Sequence, residues 1–348
     1  MDGPPTAADA LEPVRRLLDE PVAELGSFVC RPIEYRAFQT GRTVWAVSGE
    51  ASIRHATRSF DLVAKDSGPN SIEGKLFDSG VVDDLAGPIR GARYLGRTEI
   101  QGGLRLWFAR EPQHVEARTK TLVALAGDLA DLAAELSRKE PPRWLPSARQ
   151  AYDQEEAAWG VAVDAARPAL EQSDDDTFPH LLVRQIAKVL GSRDRLLDLA
   201  TLPHPVLCHA DAGPHNLLRG HDGRIVLIDW EHAVAGDLGL DLAAFVNGAL
   251  ITGTVEGRIA LDFHRDSEAA YLDRLARREP SVDIDAVRLA YRAHATLRWG
   301  SHIHLLGVAH DPSRRASVEH HWSEPFDELL TRRRWLSELF VVRAESVL

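Results

Sequence analysis

A change of hydrophobic period near residue 110 constrains the fold more than any other feature of this chain. Before it, apolar residues come in short alternating runs; after it, they recur at helical spacing. Residues 33–38, 43–47 and 60–64 are rich in β-branched and aromatic side chains and alternate, which predicts strands. Thr40-Gly41-Arg42 and a polar stretch over 50–58 separate them, so an antiparallel meander is expected. Two more strands are predicted over 91–98 and 104–109, with Gln101-Gly102-Gly103 as their turn. An opening helix over 8–25, interrupted near Pro21, and a helix around 71–80 complete this part. From Glu116 the character is helical. Leu122, Leu125, Ala126, Leu129, Leu132, Ala133 and Leu136 make one apolar stripe, which Pro141-Pro142 closes. Helices are predicted over 148–167 and 178–199, strands between 205 and 229, and mostly helix from 241 onward.

The expected class is therefore α+β, with a sheet-rich part over 1–110 followed by a mainly helical part over 111–348. At 348 residues the chain is long enough for each part to bury its own core. No apolar run approaches the roughly 18 residues of a membrane span. The first ten residues lack the basic and apolar succession of a secretory leader, so a cytoplasmic location is expected. Cys30 and Cys208 sit among apolar neighbours and read as small buried hydrophobes; two cysteines make neither a disulfide framework nor a zinc spacing. A formal net charge of −11 argues against a nucleic-acid partner, whose phosphates call for clustered Lys and Arg. It suits a cationic small molecule better.

Chemistry concentrates in residues 206–243. An apolar run, Val206-Leu207-Cys208, feeds His209-Ala210-Asp211; Gly213-Pro214 turns the chain, and Asn216 follows five residues after Asp211. Residues 217–218 and 225–228 read as two short strands joined by the hairpin signal Gly220-His221-Asp222-Gly223, and Asp229 closes the second. A hairpin brings its open ends together, which would set Asn216 beside Asp229. An amide oxygen and a carboxylate are hard donors of the kind Mg²⁺ takes when phosphates complete its shell. Asp211, one loop away, would accept a proton from a hydroxyl attacking phosphorus. A base, a pair of metal ligands and little covalent work is the division of labour of phosphoryl transfer. The three side chains are expected to converge on the floor of a cleft between the two parts.

These residues resemble the catalytic core of the aminoglycoside phosphotransferase and choline kinase family, which has a bilobal protein-kinase-like fold. Its His-x-Asp-x-x-x-x-Asn pattern is met by His209, Asp211 and Asn216, its Ile-Asp-Trp by Ile228, Asp229 and Trp230, and its Gly-Asp-x-x-x-Asp-Leu-Ala by Gly236, Asp237, Asp241, Leu242 and Ala243. Ala210 departs from the glycine usual between the His and the Asp. The resemblance implies that Asp211 is the catalytic base and that Asn216 and Asp229 hold Mg²⁺. His209, Asp237 and Asp241 would fix the catalytic loop through hydrogen bonds. It also calls for a phosphate-binding lysine and a carboxylate to hold it. Of only five lysines, Lys65 ends a predicted strand, and Glu73 follows a Gly-Pro turn in the next helical segment. Thr40-Gly41-Arg42-Thr43 falls where the nucleotide-covering loop belongs, and the backbone around Phe108 where the purine would pair. ATP or GTP is the implied co-substrate. The acceptor would be a small hydroxylated molecule: an antibiotic such as an aminoglycoside first, then choline, an amino alcohol or a sugar. Glu231 and the acidic residues of 153–156 are candidates to receive an amine.

Three other readings compete. His294, His302, His304, His310, His320 and His321 crowd one stretch, yet its apolar pattern is helical and neighbours two apart face different ways, which fits packing or substrate contacts better than a metal site. A non-catalytic kinase-like binding protein is opposed by competent side chains at Asp211, Asn216 and Asp229. A protein kinase is opposed by the missing Gly-rich loop, Val-Ala-Ile-Lys strand and Asp-Phe-Gly triplet.

Overall fold

A computed structural model describes residues 3–21, 24–33, 43–53, 56–115, 118–154, 191–300 and 324–348, with a few positions between 185 and 189 and between 315 and 319. The chain divides into two compact units. Residues 1–86, 90–113 and 218–231 form the first, and residues 87–89, 114–217 and 232–348 the second. The hairpin stretch over 218–231 thus groups with the first 113 residues, which a single cut along the sequence near 110 does not convey.

The first unit is built on a five-stranded antiparallel sheet. In chain order the strands of the whole chain are β1 (Glu24–Pro32), β2 (Val44–Ile53), β3 (Ala56–Ser67), β4 (Ile89–Gly91), β5 (Tyr94–Ile100), β6 (Gly103–Ala109), β7 (Gln113–His114), β8 (Val206–Cys208), β9 (Leu217–Arg219), β10 (Ile225–Leu227) and β11 (Val234–Gly236). The five-stranded sheet has the order β1-β2-β3-β6-β5. Period-two alternation sends Phe60, Leu62 and Ala64 of β3 to one face, where they bury with Val47, Ala51, Leu95 and Trp107. Helix α1 (Ala7–Leu18) covers that face with Ala10 and Val14. Lys65 has the opposite parity and so belongs to the other face of the sheet.

Two expectations are corrected here. The opening helix ends at Leu18, not near residue 25: Asp19 takes a left-handed φ of 53° as its cap, and Glu24 already begins β1. That strand escaped the sequence pattern because a bulge between Leu25 and Ser27 breaks the alternation, so its inward residues are Leu25, Phe28 and Cys30. Cys30 is accordingly half-buried, whereas Cys208 is fully buried. The polar stretch over 50–58 is not a connection either. Most of it belongs to β2 and β3, paired from Val44 opposite Lys65 to Ile53 opposite Ala56. The predicted strand over 33–38 lies, after Ile33, outside the described residues.

Helix α2 (Ile72–Ser79) starts at Ser71, whose hydroxyl accepts from the Gly74 N–H at 3.1 Å, and stops at Gly80 with φ 70°. Glu73 lies in its first turn, 2% exposed. Gly74 lets the helix approach the sheet: a Cβ there would stand 3.3 Å from Leu106 Cδ2.

In the second unit the described helices are α3 (Thr119–Leu136), α4 (Ala148–Gln154), α5 (Arg193–Leu199), α6 (Leu240–Ile251), α7 (Ala260–Arg278), α8 (Ile284–Gly300) and α9 (Phe326–Glu345). The stripe from Leu122 to Leu136 is buried and packs on α7, where Asp131 takes Arg274 and Arg278 at 2.7 and 2.6 Å. Helix α6 is buried on every side, all but Gly248, and packs against α8, α7 and α3. The short pair β8–β11 is antiparallel, with Cys208 opposite Val234. Among the described residues no helix is long and apolar enough to cross a membrane.

Trp107 tests the packing of the first unit. It is fully buried at the centre of the sheet, its indole N–H donating to Thr98 Oγ1 at 2.9 Å. Trp107→Ala should cost about 3–5 kcal/mol in denaturant unfolding, and Trp107→Phe less, because it keeps most of the ring volume.

Candidate active site

His209, Asp211, Asn216, Asp237 and Asp241 gather in the second unit. β8 ends at Cys208, and the chain turns sharply because Ala210 adopts φ 61°, a left-handed conformation that favours glycine. Two N–H groups of this turn find one buried carboxylate: Asp241, in the first turn of α6, accepts from His209 N at 3.1 Å and from Ala210 N at 2.7 Å. Burial pushes the Asp241 carboxyl up, against the pull of His209 and these two N–H donors. His209, itself fully buried, accepts the Asp211 N–H on Nδ1 at 3.1 Å.

Asp211 is gripped at both carboxylate oxygens. Asn216 Nδ2 donates to its Oδ2 at 3.0 Å and to its carbonyl at 2.8 Å. Arg298 Nη2 lies 3.4 Å from Oδ1, and His215 Nε2 3.6 Å from Oδ2. Burial alone would raise this carboxyl, but His215 and the neighbouring Arg298 charge hold it well below the usual carboxylate range. Gly213 makes room for the His215 ring, since a Cβ there would fall 2.5 Å from its Cε1. The amide nitrogen of Asn216 is thus committed to Asp211, at both its carbonyl and its carboxylate.

Asp237 ties the loop to two helices. Its Oδ1 accepts from Gly239 N at 2.8 Å, its carbonyl from the Cys208 thiol at 3.2 Å, and its Oδ2 meets His294 Nε2 of α8 at 2.6 Å. His294 continues to the Tyr152 hydroxyl of α4 at 3.0 Å. This buried histidine is thereby a packing residue; His302, His304, His310, His320 and His321 lie outside the described residues.

A second constellation forms in the first unit. Lys65 Nζ donates to Glu73 Oε2 at 2.6 Å and to Asp229 Oδ1 at 2.5 Å. Burial would lower the lysine, but the two carboxylates outweigh it and hold it above its ordinary value; burial pushes Glu73 up. The other oxygen of Glu73 accepts the Trp230 N–H at 3.1 Å, so one carboxylate orients both the lysine and the turn that carries Asp229. Asp229 has φ 64°, a conformation few non-glycine residues hold. Asp229, in the first unit, and Asn216, in the second, each carry an oxygen donor of the hard type. Among the described residues no three His, Cys, Asp or Glu side chains cluster as a metal cage of their own.

Other candidates fall elsewhere. Phe108 is 6% exposed and packs on Phe77 and Tyr94 with centroids 5.1 and 5.6 Å away. The next two backbone N–H groups, of Ala109 and Arg110, are taken by the carbonyls of Arg93 and Asp61. Glu231 accepts from Ser67 and Ser71 hydroxyls at 3.3 and 3.1 Å, which gives its carboxylate a structural task. Asp153 lies 3.7 Å from Arg193, whereas residues 155–156 and Thr40-Gly41-Arg42 lie outside the described residues. Sequence reasoning missed Arg298, His215 and Tyr152. His215 stood inside the motif, between Asp211 and Asn216; no local signal marks the other two, which reach the loop only through the packing of α8 and α4.

No curated protein matches this sequence. Among solved structures, the chain is similar to a spectinomycin phosphotransferase in complex with ADP and spectinomycin, at 15% identity and a TM-score of 0.51, covering 96% of this chain and 100% of that one. It is similar to an amicoumacin kinase in complex with AMP-PNP and Ca²⁺, at 14% identity and a TM-score of 0.55, covering 89% and 88%. It is also similar to a Plasmodium vivax ethanolamine kinase, at 13% identity and a TM-score of 0.51, covering 91% and 83%. At these identities the likeness carries the fold, which is α+β and protein-kinase-like. Sequence carries the family, because the profile described as "Phosphotransferase enzyme family" matches residues 86–289, more than half of the chain. This chain belongs to the phosphotransferase enzyme family.

Proposed function

We propose that this protein is a Mg²⁺-dependent kinase that moves the terminal phosphate of ATP or GTP onto a hydroxyl of a small molecule. The observation that carries the reading is Asp211: a carboxylate kept ionised and gripped at both oxygens, on a loop with no other evident task. In the proposed step the acceptor oxygen bonds to the γ-phosphorus, the bond from that phosphorus to the β–γ bridging oxygen breaks, and the nucleoside diphosphate leaves. The hydroxyl proton passes to Asp211. A base of such low affinity for protons suits a loose transition state, in which it first orients the hydroxyl and takes the proton late. Lys65, steadied by Glu73, would hold phosphate oxygens. Mg²⁺, held by Asn216 and Asp229, would neutralise phosphate charge. With the metal in place Asp229 would trade its bond to Lys65 for the ion.

The leading acceptor class is an antibiotic hydroxyl, an aminoglycoside among them, with amino alcohols, choline and sugars next. The acidic balance of the chain favours a cationic acceptor and a cytoplasmic setting supplies the nucleotide. The decisive experiment incubates the protein with ATP or GTP, Mg²⁺ and a panel of these compounds, and reads a gain of one phosphate by mass spectrometry. No phosphorylated product from any of them, together with no nucleotide affinity, would favour a kinase-like binding protein instead.

Asp211→Ala should lower turnover by about two to four orders of magnitude while nucleotide titrations stay close to wild type. Asp229→Ala should fail earlier, weakening Mg²⁺–nucleotide binding itself. Chelating the metal with EDTA should abolish phosphate transfer by the wild-type protein, and added Mg²⁺ should restore it.

A further inference from the structure

Helix α8 sends two side chains to the catalytic loop from one face. His294 and Arg298 are four residues apart, and therefore neighbours on the helix surface. The first meets Asp237 at 2.6 Å; the second donates from Nη1 to the Ala210 carbonyl at 2.5 Å and from Nη2 toward Asp211 Oδ1 at 3.4 Å. The helix is itself fixed, since Asn247 of α6 donates to the Ala295 carbonyl at 2.8 Å. Arg298 thus reaches the loop from a rigid base.

What it grips matters. Ala210 stands in a left-handed conformation at φ 61°, which costs a residue with a Cβ roughly 1–2 kcal/mol. Asp241 holds the N–H of that residue and Arg298 holds its carbonyl, so both polar groups of the strained position are pinned. The same guanidinium faces Oδ1 of Asp211, while Asn216, with His215 nearby, holds Oδ2. A planar fork with fixed N–H directions can serve the carbonyl and the carboxylate at once; an ammonium cannot reproduce that geometry.

We infer that Arg298 is a positioning residue of the phosphoryl-transfer site, locking the left-handed turn at Ala210 and the rotation of the Asp211 carboxylate so that it meets the acceptor hydroxyl in one orientation. The inference rests on the kinase reading above. Nothing in the sequence motifs assigns this residue, which lies 87 positions from Asp211.

The test compares wild type, Arg298→Ala, Arg298→Lys and Asp211→Ala in the full chain. Phosphate release with water as acceptor, transfer to whichever panel compound is phosphorylated, Mg²⁺–ATP affinity and thermal midpoint are each measured. Arg298→Ala should lose about 100-fold in kcat, the scale of an ångström of misplacement, with KM for nucleotide unchanged and the thermal midpoint near wild type. Arg298→Lys, which keeps charge and helix propensity, should recover little of the loss. Added guanidinium ion should restore part of the rate to Arg298→Ala and none to Asp211→Ala. Full activity in Arg298→Ala, or a loss matched by a collapsed midpoint in both variants without guanidinium rescue, overturns the inference and leaves the kinase reading standing. A wild-type protein that binds no nucleotide and transfers phosphate neither to a compound nor to water overturns both.

Discussion

The bond between the Asp241 carboxylate and the backbone of His209 and Ala210 is the constraint on which the catalytic loop depends. A buried N–H left without a partner costs about 1–3 kcal/mol, and this turn buries two of them in a strained conformation. Asp241 answers both from the first turn of α6, where the helix dipole also favours a negative charge. Because α6 is buried on every side, the carboxylate cannot drift, and the loop inherits its rigidity. Asp237 repeats the device a few residues earlier, taking Gly239, Cys208 and His294. The result is a carboxylate, Asp211, whose orientation is set by the groups packed around its loop.

The first unit solves a comparable problem with charge. Lys65 is a half-buried ammonium, held because Glu73 and Asp229 lie within hydrogen-bond distance. Glu73 in turn is nearly inaccessible, and its second oxygen is satisfied by the Trp230 N–H. A strand that carries a lysine, a short helix that carries a glutamate and a turn that carries an aspartate are thus locked by three bonds. Without the strand and the turn, the buried Glu73 carboxylate would lose its partners.

Much of this was legible in the sequence because it is local. The sheet-then-helix order shows in the change of period, and α2, β5, β6, α3 and the 217–227 hairpin follow from their apolar spacing and turn residues. The motif from His209 to Asp241 is compact enough for its chemistry to be read as spacing. β1 was hidden because a bulge shifts its phase, and α1 was drawn too long because a left-handed cap at Asp19 leaves no signal as plain as glycine would. Phe108 read equally as a strand end or, through its backbone, a purine contact; tertiary packing sets Phe77 and Tyr94, from α2 and β5, against its ring.

By itself the sequence determined the fold class and the family, since each is encoded in periodicity or short-range spacing that needs no knowledge of distant contacts. Tertiary structure alone decided which distant groups tune them. Arg298, His294 and Tyr152 reach the loop because helices pack at particular angles, and Glu231 was turned to Ser67 and Ser71 by the same kind of closure. The physical reason is that hydrogen bonds are directional and short-ranged: a motif states which groups are present, but only the packed chain fixes which donor each acceptor meets.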